Sequence, residues 1–163
     1  MKIAIDFEGT LTPECGEFDY ARVGGLARLL FRFPIRTGAR SLLRDLTRSG
    51  NSLTLYTSRS VSARKLFFWC RLLDLPIREV VTRRDVYKLA RQTKSHTATW
   101  PPFAGYDLIL DDEPRNIAAA RRAGVRGVLV TNRDDDWTLS IREAVQAEAV
   151  QARDDVPQLA RAA

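Results

Sequence analysis

Short runs of Ile, Leu and Val recur along the chain at Ile3–Phe7, Leu53–Thr57, Glu79–Thr82, Asp107–Leu110 and Gly127–Thr131. Each is a brief, nearly unbroken apolar stretch between polar neighbours, the pattern of a strand buried on both faces. Between these runs the apolar spacing changes to three and four. Thr37–Arg48 gathers Leu42, Leu43 and Leu46 on one side, and Ser60–Leu73, Pro114–Ala123 and Thr138–Ala152 repeat that helical pattern. Strands alternating with helices predict an α/β fold: a Rossmann-like, doubly wound parallel sheet with right-handed crossovers and helices on both faces. In such sheets reactive groups collect at the carboxyl ends of the strands. What each apolar run ends in therefore decides the chemistry.

Two segments break the alternation. Residues 13–36 contain a turn-like stretch from Pro13 to Tyr20 and an apolar stretch, Val23–Phe33, interrupted by Gly24 and Gly25 and closed by Pro34. They are expected to form a small insertion after the first strand, one helix and a loop. Arg91–Ala104 is rich in Thr and Ser and carries the breaker Trp100-Pro101-Pro102, which predicts a short helix followed by a loop. At 163 residues the chain has the size of one domain. We assign that domain to 1–152 and expect a frayed polar tail over 153–163.

Composition narrows the classes. Apolar residues make up 45% and charged residues 28%, as in a soluble globular protein. No apolar run approaches the roughly 20 residues that span a bilayer. Asp6 interrupts the first apolar run, which argues against a secretory signal and for a cytoplasmic protein. Cys15 and Cys70 form no metal-ligand or disulfide framework and are expected as reduced thiols. His96 is the one histidine, which argues against a zinc site and a histidine-based nucleophile relay and leaves carboxylate chemistry. A formal net charge of +6 favours anionic partners, phosphorylated molecules or nucleic acid.

The first run ends in Asp6-Phe7-Glu8-Gly9-Thr10-Leu11-Thr12. Period two brings Asp6 and Glu8 toward one point as the strand opens into a loop. Two carboxylates held together need a cation or a shared proton. With magnesium present, one can attack phosphorus while the other protonates the leaving oxygen and then activates water. A solvated acidic turn is the competing reading of this pair alone. Leu53–Arg59 ends in Thr57, Ser58 and Arg59, hydroxyls and backbone N–H groups suited to cradling phosphate, although Ser and Thr also cap helices generally. Asp107–Glu113 is sharper, an apolar strand ending in Asp111, Asp112 and Glu113. Acids seldom cluster there unless they face a cation. Asn116 stands close enough in sequence to orient a carboxylate or a metal-bound water.

In this order the motifs resemble the haloacid dehalogenase (HAD) superfamily over Met1–Thr131. The resemblance implies Asp6 as nucleophile and magnesium ligand, Glu8 as acid/base with its backbone carbonyl on the metal, Thr57 as phosphate-binding hydroxyl, and Asp112 as the second carboxylate on magnesium. Asp111 supports that shell. Asp111-Asp112-Glu113-Pro114-Arg115-Asn116-Ile117 is most similar to the small-cap or capless magnesium-dependent phosphatases, whose sites are open to large substrates. The third-motif lysine, which neutralises nucleophile and phosphoryl group, has two candidates. Lys94 is favoured over Lys88. Glu8 stands where most family phosphatases have Asp, which keeps the proton chemistry with one more methylene of reach.

The expected function is a Mg2+-dependent phosphomonoester hydrolase acting through an aspartyl-phosphate on Asp6. The alternatives are a catalytically impaired phosphate- or partner-binding protein and a phosphatase acting on nucleotides or nucleic-acid ends. A phosphorylated small molecule is favoured over nucleic acid because no nucleic-acid motif is recognised. His96, the arginines of the insertion (Arg22, Arg28, Arg32, Arg36) and Arg40 beyond it read as well as solvated surface as substrate contacts. Trp69, with Phe67 and Phe68, reads as core or a contact between copies.

Overall fold

A computed structural model describes residues 1–14, 18–21, 23–25, 33–93, 100, 101, 103–131 and 136–159. Strands β1 (Lys2–Asp6), β4 (Ser52–Thr57), β5 (Glu79–Thr82), β6 (Leu108–Asp111) and β7 (Arg126–Leu129) form one parallel sheet in the order β5-β4-β1-β6-β7. Each coincides with a predicted apolar run to within two residues. β1 lies at the centre, with Ile3 opposite Leu53 on one side and Leu108 on the other. The chain winds outward through β4 and β5, returns beside β1 as β6, and continues to β7. The order reverses between β1 and β6, so the crevice beyond their carboxyl ends is the expected ligand position of a doubly wound sheet.

Alternation along the strands divides the core. Ile3, Ile5 and Phe7 join Leu53, Leu55, Leu108 and Leu110 in the larger apolar layer, whereas Ala4, Tyr56 and Ile109 face a smaller one that includes Ala120. The larger layer is covered by α1 (Ala39–Arg48), which buries Ala39, Leu42, Leu43 and Leu46, and by α2 (Ala63–Leu72), which buries Leu66, Trp69 and Cys70. Trp69 is core: its ring meets Phe7 edge-on at 5.3 Å and Phe33 at 6.4 Å. Burial pushes the Cys70 thiol up to about 12, the value of an inert packed cysteine. On the other face α4 (Pro114–Arg122) buries Ile117 and Ala120 and starts where the Glu113 side chain accepts from Arg115 N at 3.4 Å.

Three elements depart from the sequence pattern. The insertion is closed by a two-stranded antiparallel ribbon of β2 (Tyr20–Ala21) and β3 (Ile35–Arg36) that the sequence pattern does not show; the apolar stretch 26–32, on which the expected helix falls, lies outside the described residues. Helix α3 (Arg83–Thr93) starts directly after β5, earlier than the short helix expected from Arg91. Its start is fixed by Thr82, whose hydroxyl accepts from Asp85 N at 3.2 Å and donates to the Asp85 carboxylate at 2.6 Å. The final helix, α5 (Trp137–Leu159), continues past Ala152 into the segment expected as a frayed tail. Among the described residues no helix is long and apolar enough to cross a membrane.

Candidate active site

β1 delivers Asp6 to the rim of the sheet, and the chain then folds back over six residues. Leu11 N and Thr12 N both donate to Phe7 O, at 3.2 and 2.9 Å, and Gly9 N donates to Thr12 O at 2.8 Å. This self-bonded turn keeps Glu8, Thr10 and Thr12 buried along with Asp6. Gly9 takes φ +72°, and a Cβ there would lie 2.1 Å from Asp112 Oδ2. Only glycine lets the Asp112 carboxylate lie against the backbone of the turn. Asp112 thus reaches across from the end of β6 to the loop after β1, and Thr10 Oγ1 contacts its Oδ1 at 3.5 Å.

Beside it, Asp111 is almost fully buried and saturated. Its Oδ2 accepts from the Tyr56 hydroxyl and from Asn116 Nδ2 at 2.9 Å, and its Oδ1 accepts from Glu113 N at 2.8 Å. These bonds oppose the upward pressure of burial on its acidity. Burial likewise pushes the Tyr56 phenol far up, reinforced by the charges of Asp6 and Asp111, so it serves as a neutral donor.

Across β1, Glu8 Oε1 accepts from Thr57 Oγ1 at 2.5 Å and pairs with Arg59 Nε at 2.9 Å, while Arg59 N donates to Thr57 Oγ1 at 3.1 Å. The Arg59 guanidinium also lies 5.2 Å from the centre of the Phe33 ring. Glu8 is therefore fixed from the side of β4, with its acidity raised by burial and partly restored by the Thr57 hydrogen bond and the Arg59 charge.

Electrostatics single out Asp6. Burial first, then the carboxylates of Asp111, Glu8 and Asp112, hold it well above the usual acid range. Asp112 is pushed up to about 6, again by burial first, with Asp111, Glu14 and Glu113 adding. A cluster of acids that resist one another's ionisation at a strand crossover is the donor chemistry of a hard divalent cation. Among the described residues no three His, Cys, Asp or Glu side chains converge as a complete protein cage. A cation held here by Asp6 and Asp112 would have to keep several waters.

The residues expected from the two acidic strand ends and from β4 are thus brought to one rim: Asp6, Glu8, Thr57, Ser58, Arg59, Asp111, Asp112 and Asn116. Lys94 and His96 lie outside the described residues. Lys88 lies on the exposed side of α3, beside Arg84, Tyr87 and Arg91. Two contributors were not anticipated. Tyr56 carries no local motif, and its role depends on β4 and β6 flanking β1; Thr10 lies inside the first motif, where only Asp6 and Glu8 carry an expected role.

The sheet order, the flanking helices and acids at the ends of both β1 and β6 define a HAD-like fold. Among solved structures the chain is similar to the HAD domain of effector protein Lem4 from Legionella pneumophila, determined as an inactive mutant. The TM-score is 0.53 at 13% identity, over 94% of this chain and 96% of that one. At this identity the likeness establishes the fold. No protein-family model and no curated protein matches the chain.

Proposed function

We propose that the chain is a Mg2+-dependent phosphomonoester hydrolase that works through an aspartyl-phosphate on Asp6. The observation that carries this reading is the convergence of Asp6 and Asp112 across the crevice, with Glu8 hydrogen-bonded to Thr57 on the opposite flank. Asp6, Asp112 and the Glu8 carbonyl are the groups that would hold magnesium. Bound there, the ion would screen the carboxylates from one another and offset the charge of the phosphoryl group.

An Asp6 carboxylate oxygen attacks phosphorus as the bond to the ester oxygen breaks. Glu8, whose burial favours the protonated form, passes its proton to that leaving oxygen. As a carboxylate it then takes a proton from water, whose oxygen attacks phosphorus and releases Asp6 and inorganic phosphate. To hold a phosphoryl oxygen the Thr57 hydroxyl would turn its one proton away from Glu8, with the backbone of the following turn offering further N–H donors. Asp111, bound by Tyr56, Asn116 and Glu113 N, keeps Asp112 aimed at the crevice.

The test is turnover of an aryl phosphate. Asp6→Asn should lower kcat by on the order of 10³ or more, and chelation should silence the wild type reversibly. Full activity in Asp6→Asn overturns the mechanism. The contacts from Glu8 to both Thr57 and Arg59 favour a second reading, a phosphate-binding protein whose acid/base is locked in place. That reading expects ligand binding without turnover across a broad panel of phosphomonoesters.

A further inference from the structure

The exposed face of α3 carries Arg84, Lys88 and Arg91 at i, i+4 and i+7, with Tyr87 between them, and these four line one hollow of about 420 Å³. Helical geometry places the three cations in a single row that rises roughly 10 Å from first to last. Among the described residues none of the three has a carboxylate partner. The one acid of the helix, Asp85, is held by the Thr82 hydroxyl at the helix start. Tyr87 is exposed, and the Arg83 guanidinium lies 5.7 Å from its ring centroid. A solvated helix face normally intersperses acids with its bases; this one is a concave row of positive charge around an aromatic ring.

Its position relates it to the crevice. Thr82, the residue before α3, is the in-register neighbour of Thr57 on the adjacent strand. The helix therefore leaves the sheet one strand away from the candidate phosphate hydroxyl, with Arg84 at the near end of the row and Arg91 at the far end.

We propose that this row is a binding track for single-stranded nucleic acid and that the phosphomonoester hydrolysed at Asp6 is an oligonucleotide terminal phosphate. The proposal rests on the catalytic reading above for its second half only. A row of cations can neutralise successive backbone phosphates, and an aromatic side chain among them offers a base a stacking surface. Together these are how sequence-tolerant single-strand binding is built. An acidic peptide would use the cations and leave the ring without a role.

The test uses the full chain carrying Asp6→Asn and a fluorescein-labelled, 5′-phosphorylated single strand of about ten nucleotides, followed by anisotropy over a range of salt. Lys88 is left in place because it is a candidate catalytic lysine. Binding should weaken as salt rises. Arg84→Gln with Arg91→Gln should weaken it about tenfold and reduce the slope of log affinity against log salt by about 1.4, two phosphate contacts' worth. Tyr87→Ala should also weaken it, and Tyr87→Phe should not. In the otherwise wild-type chain the arginine pair should lower kcat/KM for the phosphorylated strand and leave aryl phosphate turnover unchanged. Affinity indifferent to salt or to both arginines overturns the proposal. So does an acidic phosphopeptide that binds the row more tightly than the oligonucleotide. Strand binding with the stated variant pattern, in a chain that hydrolyses no phosphate, upholds the track and defeats the catalytic reading alone.

Discussion

Glu8 is under opposing influences that define what it can do. Burial favours its protonated form, while the Thr57 hydroxyl at 2.5 Å and Arg59 at 2.9 Å favour its charge. A residue held above the ordinary carboxylate range while its charge is still partly supported can give up a proton and take it back, which is what a general acid needs. Glu8→Gln is expected to lower kcat by about 10² to 10⁴ without blocking phosphate binding. Arg59→Gln removes a charge that lowers the Glu8 pKa. Because the general acid must start protonated, the alkaline limb of the pH–rate profile should then move to higher pH. An unmoved limb would detach Glu8 from the proton transfer. Gly9 carries a separate, steric demand. With φ +72° and Asp112 Oδ2 only 2.1 Å from where a Cβ would lie, Gly9→Ala must displace the Asp112 carboxylate. The expected result is a raised magnesium requirement in the aryl phosphate assay, together with about 1–2 kcal/mol less stability in chemical denaturation from the left-handed backbone alone.

At the scale of elements, the sheet was legible because its three inner strands, β4, β1 and β6, are buried on both faces. Ile3–Phe7 and Asp107–Leu110 are apolar runs too short for a helix and bounded by polar residues, and they became β1 and β6 with only their ends shifted. The start of α3 was missed for a local reason. Thr82 is the last residue of β5 and also the hydroxyl that caps the helix, so no polar linker separates the two elements. The ribbon of β2 and β3 is not legible in the sequence because two-residue strands carry no period. What fixes that ribbon is Arg36, read from sequence as one of a set of surface arginines. It is buried, its guanidinium stacks 4.3 Å from the Phe18 ring and 4.4 Å from the Trp137 ring, and Nη2 donates to Thr131 O at 2.9 Å. It ties the insertion to the start of α5 and the end of β7, while its backbone N–H donates to Leu11 O at 2.8 Å in the loop after the candidate nucleophile. Arg36→Ala should cost about 2 kcal/mol or more, seen as a lower denaturation midpoint and faster proteolysis within 13–36. Arg36→Lys should recover little, because an ammonium cannot lie flat between two rings.

For the whole molecule, the same acids that suggest a function also oppose the fold. The approach of Asp6 to Asp112 follows from the sheet order, which puts β1 and β6 side by side; the acids at each strand end were visible in sequence, and the contacts of Asp112 with Gly9 and of Asp111 with Tyr56 were not. Asp112, pushed to about 6 from an ordinary 3.8, fixes the sign of the effect. Below pH 4 it is protonated folded or unfolded, and the fold benefits from its neutral form. As pH rises through about 6 it must ionise in a site that resists the charge, and that contribution to stability is lost. Asp6, displaced upward for the same reasons, acts in the same direction. In chelator, Asp112→Asn should therefore stabilise the protein more at pH 8 than at pH 5. Magnesium binds the ionised carboxylates, so it should raise the melting temperature more at pH 8 than at pH 5. At 100 times its dissociation constant the linkage amounts to about 2.7 kcal/mol, or about 5–10 °C for a chain of this length. Thermal melts at the two pH values, with and without magnesium, in wild type and Asp112→Asn, measure the coupling directly. Equal magnesium shifts at both pH values, or a full shift in the variant, would remove Asp112 from the metal site and leave its acidity a matter of burial.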